Sequence, residues 1–263
     1  MKISIVTITY NAAAVLQRTL DSVSSQTYRH IEHLIIDGAS KDGTVELIKN
    51  YELRIKNYEV RVVSEPDRGI YDAMNKGLRL ATGDYIIFMN AGDTFHDATT
   101  LERVVKCGER RVERGEWREE SGEGSPAVLY GDTDIVDGEG RFLRKRHLSV
   151  PDRLTWRSFR QGMLVCHQAF YARLNVARDI PYDLTFRHSA DVDWCIRVMQ
   201  EAERRGLPLV RVPGVVADFL DGGDSKQNHR DSLLERFAVM RRHYGLLTTL
   251  AMHGWFVVRG MFR

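Results

Sequence analysis

The chain predicts an α/β protein built on a mostly parallel sheet, and three observations carry that expectation. Short apolar or β-branched runs recur at residues 3–9, 31–37, 60–64 and 84–90. Stretches with apolar residues at helical spacing separate them. The runs also stop abruptly on turn residues, as in "IIFMNAGDTF", where Asn90, Gly92 and Asp93 close an oily segment. Strands alternating with helices of this length require right-handed crossovers and a sheet covered on both faces.

The first run, "ISIVTIT", is β-branched and suits a buried strand. Asn11 follows as the expected N-cap of a helix carrying Val15, Leu16, Leu20 and Val23. "IEHLIID" is the second strand, 43–58 the second helix, 60–64 the third strand and 70–81 the third helix. "DYIIFMN" is the fourth strand. A helix then runs through "LERVVKCGERRVE" and gives way to "RGEWREESGEGSP", whose charge and glycine content predict a solvated loop. Residues 127–148 read as two strands around a turn at 137–140. Asp191 opens a helix that ends at Gly206, "PLVRVPGVVADFL" returns to extended structure, and helices follow at about 228–244 and 246–262.

Composition narrows the function. With 43% hydrophobic and 28% charged residues the chain matches an ordinary globular protein, and a net charge of +2 argues against a nucleic-acid binder. Cys107, Cys166 and Cys195 are far apart and form no CxxC, which speaks against zinc and against a disulfide framework and fits reduced thiols in the cytoplasm. The start, "MKISIVTITYNAAAV", has too short and too interrupted an apolar core for an export signal. Nowhere does an apolar run reach the roughly 18–20 residues of a membrane span.

Asp37, Asp67 and Asp93 fall at the C-terminal ends of successive strands, and Asp191 at a helix start. One such carboxylate is an ordinary cap or turn residue. Several around one crevice repel each other unless a cation or a hydrogen-bonding ligand joins them. Ligands of open α/β sheets collect at that edge. No GxGxxG follows the first strand and no GxxxxGK[ST] occurs, so a nucleotide would not be held by a dinucleotide-binding or P-loop device.

Taken in order, "ISIVTITYNA", "IIDGASKDGT", "EPDRGIYDAMNKGLRLATGDYIIFMNAGD", "YGD", "CHQAFYAR" and "ADVDW" resemble the family 2 glycosyltransferases of the GT-A fold, over residues 1 to about 225. The branch most like it builds bacterial capsules, exopolysaccharides and O-antigens. The resemblance implies a Rossmann-like catalytic domain over 1–225 and a helical extension over 226–263. Residues 1–95 would form the nucleotide-sugar-binding half and 127–225 the acceptor-side half. It also implies roles. Thr9 and Tyr10 would cradle the nucleotide base, and Asp37 would accept hydrogen bonds from base or ribose. Asp67, Asp72 and Asn75 would line the donor site, and His167 would touch the donor sugar or diphosphate. Asp132 and Gln168 would lie toward the acceptor. Asp93 would bind Mg2+ or Mn2+ bridging the two phosphates. Asn90 and Gly92 stand where many relatives carry aspartates, which leaves Asp93 the sole carboxylate of that motif.

Asp191 matches the family's catalytic base, which would deprotonate an acceptor hydroxyl as it displaces a nucleoside diphosphate with inversion. Asp193 is the rival, but it belongs to a different helix face. UDP is the expected nucleotide. A nucleotidyltransferase would need a Gly-rich basic loop where "TYNAAAVLQ" stands, and the remaining alternative is a non-catalytic nucleotide-sugar binder. The C-terminus raises a further expectation. From Lys226 on there are seven Lys or Arg against two acids, and "YGLLTTLAMHGWFVVRGMFR" has none of the latter. That composition predicts a helix lying on the cytoplasmic face of the inner membrane, where a lipid-linked glycan acceptor would be met, the alternative being a helix packed on the catalytic domain.

Overall fold

A computed structural model describes residues 1–113, 125–222 and 229–261. Most of the loop expected after the fourth helix (114–124) and the outermost expected helix residues, Asn228 and Phe262, lie outside them. Four parallel strands form one wing of the sheet: β1 (Ile3–Thr9), β2 (Ile31–Asp37), β3 (Glu59–Ser64) and β4 (Tyr85–Phe88), ordered β3-β2-β1-β4. Helices α1 (Ala13–Ser24), α2 (Thr44–Arg54) and α3 (Ile70–Leu80) make the crossovers. Every residue of β1 and β2 is buried, as two-sided coverage requires.

The second wing mixes directions. Past β4 the order continues β8 (Phe170–Arg173), β6 (Val128–Val136), β9 (Leu209–Leu220) and β5 (Thr94–Phe95), with β7 (Phe142–Lys145) on the flank of β6. β8 runs antiparallel to both neighbours and β5 antiparallel to β9, whereas β6 and β9 are parallel. Alternation of strands and helices could announce only the first wing. β5 is two residues long and follows β4 through the 90–93 turn with no helix between them, so no periodicity marks it.

The remaining helices are α4 (Thr100–Glu113), α5 (Leu174–Ala177), α6 (Ala190–Arg204), α7 (His229–Tyr244) and α8 (Leu246–Met261). α3 packs tightly on β1 because Gly77 has no side chain; a Cβ there would sit 2.3 Å from Val6 Cγ1. Asn11 does not cap α1. Its φ is 45°, its backbone N–H donates to Ser40 Oγ, and its side-chain oxygen accepts from Lys41 N. The first turn of α1 is satisfied from the neighbouring loop instead, by Thr44 Oγ1 on Ala12 N and by Asp42 on Ala13 N. α2 stops at Arg54 rather than 58, because Ile55 turns extended and Tyr58 folds back to pair its hydroxyl with Tyr51 at 2.5 Å.

Candidate active site

The parallel register sets the residues expected on the donor side level with one another. Thr9 pairs with Asp37, and Asp37 with Ser64, at the C-terminal ends of three adjacent strands. Asp37 is fully buried, and its carboxylate accepts from Ser40 N at 3.0 Å, Ser40 Oγ at 2.5 Å and Ser64 Oγ at 2.6 Å. Thr9 Oγ1 is buried with no partner among the described residues, whereas the Tyr10 ring is 66% exposed. Asp67 accepts from Gly69 N and lies so close to Gly38 that a Cβ there would come within 2.7 Å of Asp67 Oδ2. Asp72 is engaged by the backbone and guanidinium of Arg68.

The "NAGD" turn explains its own departure from the family pattern. Gly92 has φ 100°, its N–H donates to Thr19 Oγ1, and a Cβ would meet Leu220 Cδ2 at 2.6 Å. An aspartate at that position would be strained and would collide with β9. Asp93 is buried, with Oδ1 accepting from Leu220 N at 3.0 Å and Oδ2 from Gln168 Nε2 at 2.6 Å. Burial outweighs these bonds and pushes its carboxyl up to about 6. A buried carboxylate short of positive charge fits a hard divalent cation, and Asn90 Oδ1, buried and unpartnered among the described residues, remains for a ligand hydroxyl or a water.

Asp191 lies at the second position of α6, after the N-cap Ser189. Oδ1 accepts from Tyr71 Oη at 3.2 Å and Val192 N at 2.9 Å, and Oδ2 from His167 Nδ1 at 3.2 Å. Burial pushes this carboxyl up, but the hydrogen bond and field of His167, aided by Arg236, prevail and hold it below its ordinary value. That direction favours the ionised form, the form a general base requires. Asp193 is fully enclosed by Arg197 Nε at 2.6 Å, His243 Nε2 at 2.8 Å and Arg242 Nη1 at 3.2 Å. The two faces of α6 separate the rivals.

His167, Gln168 and Asn90 join the two sides. His167 Nε2 lies 3.0 Å from Asn90 Nδ2 while Gln168 reaches Asp93, so Asn90, Asp93, His167, Gln168 and Asp191 form one polar cluster. Other expected residues are committed elsewhere. Asn75 clamps the backbone of Tyr182 with both amide atoms, at 3.0 and 2.7 Å, and Tyr182 stacks on Tyr71. Gln168 is buried against Asp93, and Asp132 pairs with Arg211 at 2.9 Å.

Three features of the site region go beyond the residues that the sequence singles out. Tyr71 falls within the specific "RGIYDAMN" segment and is findable there. Glu235 of α7 accepts from the backbone N–H groups of Arg187, His188 and Ser189 at 2.8, 2.7 and 3.0 Å, seating the start of α6; no local motif signals this. His96, Asp134 and Asp218 also bring one ligand atom each within 4.8 Å of one another, a second place where a cation finds nitrogen and oxygen donors.

The family model described as "Glycosyl transferase family 2" matches residues 4–112. A PGL/p-HBAD biosynthesis glycosyltransferase of Mycobacterium tuberculosis is 34% identical over 196 residues, 74% of this chain and 68% of the relative. The amylovoran biosynthesis glycosyltransferase AmsB of Erwinia amylovora is 25% identical, over 82% of this chain and 68% of its own length. Among solved structures, S. aureus TarS 1–349 in complex with UDP-GlcNAc superimposes with a TM-score of 0.69 at 17% identity, covering 92% of this chain and 65% of that one. The mannosyltransferase PcManGT from Pyrobaculum calidifontis, in complex with GDP-Man and Mn2+, gives 0.62 at 17% identity, over 97% of this chain and 75% of that one.

Proposed function

The chain belongs to glycosyl transferase family 2, as a glycosyltransferase with the GT-A fold, and from that premise we propose that it moves a sugar from a UDP-sugar to an acceptor hydroxyl with inversion. The acceptor is a glycan of a bacterial capsule, exopolysaccharide or O-antigen, a reading supported by the likeness to an amylovoran biosynthesis enzyme. One observation carries the mechanism: Asp191 is held by three donors with part of its side chain exposed, while Asp193 is enclosed by Arg197, Arg242 and His243.

In the proposed step Asp191 takes the acceptor hydroxyl proton as that oxygen bonds to the anomeric carbon. The bond from that carbon to the phosphate oxygen breaks, its electron pair leaves with UDP, and a single displacement inverts the centre. Thr9, Tyr10 and Asp37 hold the nucleoside at the strand ends, and Asp67 and Asp72 flank the donor below it. A divalent cation, Mn2+ or Mg2+, held by Asp93 would supply Lewis-acid stabilisation of the leaving diphosphate. The test combines a thermal-shift screen of nucleotide sugars, with Mn2+, and NMR of the product. Retained anomeric configuration, or normal turnover in Asp191→Asn, overturns the mechanism.

The reading includes attachment to the cytoplasmic face of the membrane. No described helix is long and apolar enough to cross one. α8 has instead a one-sided face: every described exposed position from 246 to 258 is apolar or glycine, including Leu247 at 83%, Leu250, Trp255 and Val258. The opposite side packs on α7, with His253 against Phe237. Arg230, Leu234 and Arg241 share an exposed stripe of α7, which suits anionic headgroups beside an apolar face. Flotation with anionic and neutral liposomes, with and without Leu247→Glu and Trp255→Glu, tests it. Failure to float with any lipid removes the membrane from the reading.

A further inference from the structure

One short turn touches both carboxylates of the proposed reaction. Residues His167–Ala169 form a single 3-10 turn leading into β8, closed by Ala169 N on Cys166 O at 3.0 Å. Its first residue bonds Asp191 and its second bonds Asp93, at 3.2 and 2.6 Å. Adjacent residues of an extended or tightly turned chain direct their side chains apart, so neighbours at 167 and 168 can reach opposite sides of a crevice. An ionised Asp191 can only accept, so His167 Nδ1 carries a proton and donates it to Asp191 Oδ2, while Nε2 faces the Asn90 amide at 3.0 Å. Both nitrogens of the ring are thus engaged within the protein, one on each side of the site.

We propose that His167 is a positioning residue for Asp191, holding that carboxylate in register with the Asn90–Asp93 turn rather than serving mainly as a contact to the donor. The inference rests on the reading of Asp191 as the base. The ring acts as a histidine fixed by one partner so that it orients another: the Asn90 amide holds one edge while the other edge donates to Asp191. The groups facing Asp191 are Tyr71 from α3, His167 from the turn, Arg236 from α7, Tyr182 from the segment before α6, and the thiols of Cys166 and Cys195. Tyr71 supplies the second side-chain hydrogen bond and is itself kept protonated by burial and by Asp191. Removing the His167 donor therefore leaves Asp191 oriented from one side only.

The experiment compares His167→Leu, which abolishes the donor, with His167→Asn, whose amide nitrogen can occupy the place of Nδ1. Three quantities are read. The titration of the Asp191 side-chain carboxyl is followed by NMR on 13C-aspartate-labelled protein and assigned through Asp191→Asn. The affinity for UDP in the presence of Mn2+ is measured by calorimetry. Turnover is measured with UDP-glucose, UDP-galactose and UDP-N-acetylglucosamine as donors. In His167→Leu the Asp191 midpoint moves up and turnover falls on the order of 100-fold, the scale of a misplaced reacting group. UDP affinity stays within about 2-fold, since uniform binding is untouched. His167→Asn recovers part of both losses. An unchanged Asp191 midpoint in His167→Leu overturns the proposal, as does a loss of UDP affinity matching the loss of turnover, which would make His167 a donor contact. Absence of transfer by the unmodified protein with every sugar nucleotide would count against the proposed function, while the Asp191 midpoint would still decide the positioning role.

Discussion

Asp191 and Asp193 lie two residues apart on one helix, yet the first keeps 16% of its side chain exposed and the second keeps none. The first turn of α6 presents one carboxylate to the crevice and sinks the other among Arg197, Arg242 and His243.

Substituting each should separate chemistry from stability. Asp191→Asn is expected to leave the melting temperature nearly unchanged while turnover falls on the order of 100-fold or more. Asp193→Asn is expected to destabilise the fold by about 1–3 kcal/mol, because Arg197, Arg242 and His243 lose the carboxylate they share. Chemical denaturation alongside single-turnover kinetics checks both. A stable, inactive Asp193→Asn would reverse the assignment.

Asp93 should make stability depend on pH with an unusual sign. Its carboxyl is raised from 3.8 to about 6, so the folded state binds the proton more tightly than the unfolded chain. Stability from this group is full below 3.8 and lost as pH rises through about 6, an effect of about 3 kcal/mol at most. In chelator, Asp93→Asn should therefore flatten the acid side of the stability profile and match or exceed the unmodified protein at pH 7.5. The Gln168 amide can flip to accept from the new Asn, so folding has no reason to suffer. Mn2+-dependent UDP binding should disappear in the same variant.

Restoring an aspartate to the metal motif should do harm. Gly92→Asp places a side chain at φ 100° and against Leu220, for an expected loss of about 1–3 kcal/mol and no gain in Mn2+ affinity. Leu220→Ala in the same chain should return only the steric part. Tighter Mn2+ binding by Gly92→Asp would show that the turn is not what excludes the carboxylate.

Glu235→Ala should act at a distance. Three backbone N–H groups lose their acceptor, so a cost of about 1–3 kcal/mol is expected, with faster amide exchange at residues 187–191. Turnover should drop while UDP affinity holds. Unchanged exchange at 187–191 would mean that α6 is seated by other contacts.

The first wing of the sheet was legible because its strands are buried on both faces and its helices keep one apolar stripe, so periodicity survives in the order of residues. Asn11 misled because a capping side chain and a loop-bridging side chain have the same chemistry, and only its φ of 45° distinguishes them. β5 is too short to have a period. Asp191 could be preferred over Asp193 from helix geometry, but the reason for the burial of Asp193, the Arg242 and His243 side chains of α7, lies about fifty residues away. Glu235 and the His96–Asp134–Asp218 grouping were invisible for the same reason: they are made by tertiary contact among residues that are individually unremarked.

The grip of Glu235 on residues 187–189 fixes where the chain can be shortened. The sheet ends at Leu220, and a cut at 225 would preserve every described strand and every acid of the strand ends. It would also strip the backbone acceptor from the start of α6, two of the donors, Arg242 and His243, from Asp193, and the Tyr244 ring that stacks on Trp156. A fragment that keeps these contacts must therefore run at least to Tyr244, and α8, packed on α7 through His253 and Phe237, belongs with it.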